Sequence, residues 1–275
     1  MAPESALSEG SLKRVVTGIV LIPIFVAIVL YASVYLILAV SAAITLLALY
    51  EFNGLAIVQK RDAIFDWTGV MAGTALVPVV YYGGAGSFAP AALVLLFAFF
   101  FYAIVSGREL KDASQDTTHK AFGLVYIALP LSFLTPLREI ENGQWWLLFL
   151  LIVIWSNDTF AYFIGRGLGA HKLASEISPK KTVEGAAGGI IGGAAVAVLF
   201  SYLAGMGLSP LNVFVLAAVI GIVAMIGDLA ESVLKRAAGV KDSGAIIPGH
   251  GGVLDRIDSL LFSVPLLYYY LACQV

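Results

Sequence analysis

Residues 227–258 read GDLAESVLKRAAGVKDSGAIIPGHGGVLDRID, a polar island between two apolar runs in a chain that is only 12% charged. The flanking runs, at about 211–227 and 253–272, are apolar enough to cross a membrane, so the island marks where one helix ends and the next begins. Helical spacing puts Asp228, Glu231 and Lys235 on one face, and Asp255 and Asp258 one turn apart on another. Between them lies the breaker-rich run Pro248, Gly249, His250, Gly251, Gly252. Carboxylates at two helix ends, the basic residues Lys235, Arg236, Lys241 and Arg256, and glycines where backbone must come close are the parts of a metal and phosphate site.

The rest of the chain sets the class. Of 275 residues, 60% are hydrophobic and the mean hydropathy is +0.94, far beyond a soluble domain. This predicts an all-α, polytopic integral membrane bundle forming one domain over residues 1–275, since no linker, low-complexity tract or domain-scale repeat interrupts it. A net charge of -2 gives no case for a nucleic-acid partner. The single cysteine, Cys273, excludes an intrachain disulfide and is expected to be a small buried hydrophobe. Residues 1–14 are read as a short cytoplasmic segment rather than a secretory leader. The apolar run after Arg14 continues to about Tyr50, well past the ~7–15 residues of a signal core.

Cutting the apolar runs at roughly 20 residues each gives about nine spans. Residues 15–52 hold two, turning near Tyr31 to Val34; the others fall at about 64–82, 88–106, 121–137, 145–162, 186–206, 211–227 and 253–272. Trp145 and Trp146 are expected to be interfacial anchors. The mixed-charge segment 107–120 is expected to be a solvated connector. With nine spans, every Lys and Arg except Arg138 falls on one side of the membrane. By the positive-inside rule that side, with the N-terminus, is cytoplasmic, which puts every polar cluster on the face that meets nucleotides.

Two further clusters end on that face. Asp158, beside Asn157 at the polar end of an apolar helix, is costly unless it faces a cavity or a partner. Ser178, Lys180 and Lys181 precede a helix start and form an anion-binding mouth, although the lysines also serve as topology anchors. Gly185, Gly189 and Gly193 recur four apart, as do Gly188 and Gly192, which points to close helix packing rather than phosphate cradling. Asp228, Asp255 and Asp258 are the acids that two helix ends could bring onto a divalent cation; Asp255 with Arg256 has the alternative of a helix-end salt bridge. Magnesium suits so sparse a set, since it takes one or two carboxylates plus substrate phosphates. His250 is either incidental or a contact to a phosphate or a base.

The run from Ser232 to Asp258, with SVLKR, KDSG and PGHGGVLDRID in order, resembles the signature of the phosphatidate cytidylyltransferases, or CDP-diacylglycerol synthases. Trp155 to Tyr162 and Ser178 to Gly185 resemble two further segments of that family, so the likeness covers most of a catalytic half at about 145–275. In the N-terminal half only Glu51 and Phe52 echo it. The resemblance implies transfer of a cytidylyl group from CTP to phosphatidic acid, magnesium alone or with a second cation, a homodimer, and a bacterial inner membrane with the site facing the cytoplasm. On this reading Asp228, Asp255 and Asp258 hold the metal. Lys180, Lys181, Lys235, Arg236 and Lys241 meet the phosphates, while Asn157, Asp158, Ser178, Asp242, His250 and Arg256 contribute to substrate binding. The alternatives are a CTP-dependent polyprenol kinase, which shares the nucleotide but transfers the γ-phosphoryl group, and a transporter, since intramembrane acids also mark ion pathways.

Overall fold

A computed structural model describes residues 23–56, 62–247, 249 and 251–273. The start of the first expected span, the basic residues Lys13, Arg14, Lys60 and Arg61, and also His250, lie outside the described residues. Helical residues 23–31 (α1) give way at Ala32 and Ser33 to α2, Val34–Gly54, at the expected turn. Ser33 stops the first helix and starts the second by accepting the Leu36 amide at 3.3 Å. Asp62 does the same for α3, Ala63–Gly83, accepting the amides of Ile64 and Phe65. The Tyr102 hydroxyl donates to Asp62 at 2.5 Å and holds that carboxyl below its ordinary range. A 3₁₀ turn, Ala85–Ser87, leads into α4, Phe88–Val105.

The chain then returns as α5 (Leu110–Gly123), a π-helical turn (Leu124–Ala128), α6 (Leu129–Ser132) and α7 (Leu134–Glu139). Two prolines explain the interruptions. Pro130 has no N–H for the carbonyl one turn back, inside the widened turn, and the helix breaks again at Phe133 just before Pro136. The long α8, Gly143–Leu168, is followed by an antiparallel hairpin of β1 (Lys172–Ala174) and β2 (Ser178–Thr182). Helices α9 (Val183–Leu203), α10 (Pro210–Ala237) and α11 (Leu254–Ala272) complete the chain.

Among the described residues seven helical segments are long and apolar enough to cross a membrane, with α5 to α7 counted as one. Helix α11 and residues 23–31 occupy the places of the other two expected spans. The bundle is apolar outside as well as inside, as a lipid-facing surface requires. Leu93, Val94, Phe97, Phe101 and Ile104 of α4 are all exposed.

Several expectations are corrected. Residues 107–120 are not a solvated connector: from Leu110 they form a helix that buries Asp112, Asp116 and Lys120 and leaves Lys111 exposed. Lys120 is 3% exposed, lies between Asp116 and Asp66, and has its ammonium 4.3 Å from the centre of the Phe65 ring. Arg108 pairs with Asp116 at 2.8 Å, so the charges satisfy one another inside the bundle. The apolar span expected to about 227 continues as one helix to Ala237, with Asp228, Glu231 and Lys235 at the helical spacing read from the sequence. Trp146 is buried against Phe149, centroids 5.6 Å apart, rather than standing at an interface. Cys273 is exposed, because it follows the last turn of α11 and has left the packed seam.

The glycines of α9 are a packing stripe, as their spacing implies. A Cβ on Gly188 would lie 2.3 Å from Ile164, one on Gly189 2.7 Å from the Asn157 carbonyl, and one on Gly192 2.4 Å from the Phe160 ring. Backbone of α9 is thus laid directly on α8. The same end of the bundle gathers the polar loops. Glu51 at the end of α2 contacts the start of α11, and Lys181 contacts Asp228. Tyr102 likewise joins Asp62 beside Arg108. Arg138 is at the opposite end, where it donates to Gln144 at 3.2 Å and the neighbouring Glu139 accepts from Tyr81.

Candidate functional site

A cavity of about 450 Å³ opens between α8, the hairpin and the facing stretches of α9 and α10. Helix α8 supplies Asn157, Asp158, Ala161, Tyr162, Gly165 and Arg166 on successive turns; β2 supplies Lys180, Lys181 and Thr182; α10 supplies Met225 and Asp228. The local sequence builds this shape. Thr182 closes the hairpin and caps α9, accepting the Gly185 amide at 3.1 Å, and Gly165 and Gly169 make room for its side chain. Glu184, in the first turn of α9, accepts the amides of Ala170 and His171 and pairs with the His171 ring at 2.5 Å, fastening the hairpin to the helix.

Charge of both signs meets in the cavity. The Lys181 ammonium pairs with Asp228, to which Ser232 also turns its hydroxyl at 3.5 Å. Lys180 stands exposed at the rim, and Arg166 donates to the Tyr162 hydroxyl at 3.2 Å. Asp158 faces the same space, and the charges of Asp228 and Arg256 both act on it. Asn157 is 5% exposed with its Oδ1 unpartnered, and Gly189, Gly193 and Gly221 press around it. Such a wall offers ammonium groups to phosphate and carboxylates to a cation.

Of the residues singled out from the sequence, the structure therefore brings Asn157, Asp158, Lys180, Lys181 and Asp228 to one cavity. Ser178 pairs with Ala174 at the turn end of the hairpin and does not line the cavity. Asp258 is on the adjoining face, where Gly227 of α10 lies so close that a Cβ would meet the Asp258 carbonyl at 2.5 Å; its own Oδ1 accepts the Ser259 amide. Asp255 and Lys235 belong to a second cluster. Lys235 is buried and donates to Glu231 and, at 2.6 Å, to Asp255 Oδ1. Asp255 Oδ2 accepts the amides of Gly252 at 2.7 Å and Ser243 at 3.0 Å, so the residue pairs with Lys235 and the loop rather than with Arg256. Arg236 donates to the Val240 carbonyl at 2.8 Å and closes the end of α10; Lys241, Asp242 and Arg256 are exposed outside the cavity lining.

Among the described residues no three His, Cys, Asp or Glu side chains are grouped tightly enough to hold a metal alone. The cavity carboxylates Asp158 and Asp228 nevertheless fit magnesium, which needs only one or two of them when substrate phosphates supply the other oxygens.

One residue of this region escapes sequence reasoning. Glu51, 3% exposed at the end of α2, accepts the amides of Val253 at 3.0 Å and Leu254 at 2.8 Å, and the Ser243 hydroxyl at 3.3 Å. The sequence signals, an acid at the end of an apolar run and a family echo at Glu51 and Phe52, name none of its partners.

The model of the cytidylyltransferase family matches residues 12–274 of the chain. The phosphatidate cytidylyltransferase of Staphylococcus haemolyticus is 30% identical over 259 residues, covering 92% of this chain and 96% of that protein. That of Bacillus subtilis is 43% identical over 149 residues, 54% of this chain and 55% of that protein. That of Rickettsia bellii is 34% identical over 211 residues, 73% of this chain and 88% of that protein.

Proposed function

The chain belongs to the cytidylyltransferase family, and from that premise we propose that it transfers the cytidylyl group of CTP to phosphatidic acid, forming CDP-diacylglycerol and pyrophosphate. One observation carries the reading: Asp158 and Asp228 share a cavity with Lys180 and Lys181 at the end of the bundle where the basic loops gather. A phosphate oxygen of the lipid attacks the α-phosphorus of CTP, a new P–O bond forms, the α–β bridging bond breaks, and pyrophosphate leaves. No covalent chemistry is required of the protein, so positioning and charge neutralisation are its work.

Lys181 and Lys180 bind phosphate oxygens, with Arg166 and Arg256 at the mouth. Lys181 exchanges its bond to Asp228 for one to phosphate, which frees that carboxylate. Asp228 and Asp158, with Asp258 beside them, are the residues that would hold magnesium. Magnesium when bound supplies neutralisation of charge on the triphosphate. Asp255, bonded to Lys235 through Oδ1 and to the amides of Ser243 and Gly252 through Oδ2, holds the loop and keeps a lone pair on Oδ1 with which it would join the cation site. Lys235 braces Glu231 and Asp255 in the absence of substrate.

The excess of Lys and Arg expected at this end supports a site that faces the cytoplasm from a bacterial inner membrane. A homodimer is the proposed assembly, checked by the mass of the detergent-solubilised protein in light scattering. The activity is tested with purified protein, phosphatidic acid, magnesium and each nucleoside triphosphate in turn. CTP alone should yield pyrophosphate and CDP-diacylglycerol; release of CDP in place of pyrophosphate would overturn the reading.

A further inference from the structure

The first turn of α11 and the loop before it are held from the far end of the sequence. Glu51 spends both carboxylate oxygens there, Oε1 on the Val253 amide and Oε2 on the Leu254 amide and the Ser243 hydroxyl. Those two amides open α11 and have no acceptor within the helix, so Glu51 serves as a cap supplied by another helix. The fit is close. A Cβ on Gly244 would lie 2.5 Å from Glu51 Oε1 and one on Gly252 2.4 Å from Oε2, so the loop wraps the carboxylate with bare backbone. Asp255 grips the same loop from the other side, through the amides of Ser243 and Gly252, and is itself anchored to α10 by Lys235.

We infer that Glu51 is a positioning residue of the reaction: by fixing Ser243 and the opening of α11 at Val253 and Leu254 it sets the angle at which the first turn of α11 holds Asp258, with Arg256, beside the cavity. The argument rests on the function proposed above. The Asp258 backbone carbonyl lies against Gly227, the neighbour of Asp228, where a Cβ would meet it at 2.5 Å, so a small rotation of this turn moves the Asp258 residue relative to Asp228. Nothing in α2 itself needs an acid at position 51. The neighbouring Phe52 and Leu49 are packed in the apolar core, and the carboxylate has no partner on its own helix.

The test compares Glu51→Gln and Glu51→Asp with the unaltered protein in detergent, following pyrophosphate release. Glutamine keeps the volume but places an amide donor against two backbone donors; aspartate keeps two acceptors on a shorter stem. Positioning by acceptance predicts that Glu51→Asp retains more activity than Glu51→Gln, and that Glu51→Gln loses about 10- to 100-fold in kcat, the expected range for stranding a buried donor. A space-filling role predicts the reverse order. Hydrogen exchange of the peptide containing Val253 and Leu254 should accelerate at least about tenfold in Glu51→Gln, a readout that needs no turnover.

Should Glu51→Gln fail to fold, Gly244→Ala displaces the carboxylate without removing it and should show the same loss and the same faster exchange. Activity of Glu51→Gln within twofold of the unaltered protein, glutamine outperforming aspartate, or unchanged exchange each overturns the inference. Absence of CTP-dependent pyrophosphate release from the unaltered protein would instead strike at the proposed function.

Discussion

Replacing Lys181 with Gln probes the cavity at the point where its two charges meet. The side chain is half-buried, flanked by Thr182 and facing Asp228, so its ammonium is neither free in water nor fully desolvated. A charge-assisted hydrogen bond in such a place contributes about 1.5–3 kcal/mol. At about 1.36 kcal/mol per decade this becomes a loss of roughly 10- to 150-fold in kcat/KM for CTP. Lys180, its neighbour on β2, is exposed, and solvent screens it. Lys180→Gln should therefore cost only a few-fold at low salt and less as salt rises, while the Lys181→Gln defect persists. The assay is pyrophosphate release at saturating phosphatidic acid with CTP varied, at two ionic strengths. Lys181→Gln within twofold of the parent, or Lys180→Gln the more damaging of the two, would refute the role given to Lys181.

Other perturbations address the scaffold. Lys120→Met takes the shared ammonium from Asp66 and from Asp116, which keeps Arg108, and should destabilise the protein by about 1–3 kcal/mol in thermal or denaturant unfolding in detergent; a loss under about 0.5 kcal/mol would show that the cluster is not buried in solution. Gly192→Leu drives a side chain into the Phe160 ring and should cost at least about 1–3 kcal/mol and separate α8 from α9, read as loss of both stability and activity. Tyr102→Phe removes the donor that holds the Asp62 carboxyl low. A group depressed on folding stabilises above its unfolded pKa of about 3.9 and loses that contribution as pH falls through its folded value. The melting temperature of Tyr102→Phe should accordingly lie below the parent's at pH 7, with the gap narrowing below roughly pH 4; a gap constant down to about pH 2.5 would contradict this.

The sequence was most informative where structure follows from neighbours along the chain. The turn before Val34, the glycine stripe of α9 and the meeting of Asp158, Lys181 and Asp228 follow from hydropathy, four-residue spacing and a count of basic loops. Helix α5 has the composition of a solvated loop, yet Arg108, Asp112, Asp116 and Lys120 recur at intervals of four, two acids flanked by two bases on one helical face. The hairpin before α9 gave no alternating apolar pattern, since both its faces are largely exposed. Asp255 shows the limit most clearly. Its place in a charged run suits a metal ligand, but the run does not name its partners within the protein, the amides of Ser243 and Gly252 and the ammonium of Lys235, which depend on the path of the loop.

The reach of Glu51 to Val253 and Leu254 bears on how the protein is made. Helix α2 is synthesised some two hundred residues before its partners. Through most of translation its acid must wait at the membrane surface without the donors it will finally have, at a cost of up to about 2.5–3.5 kcal/mol were it drawn to mid-bilayer. The bundle is therefore not complete until its last helix arrives. A chain stopped short of α11 would lack more than that helix, since it would leave an unsatisfied acid as a mark of unfinished assembly.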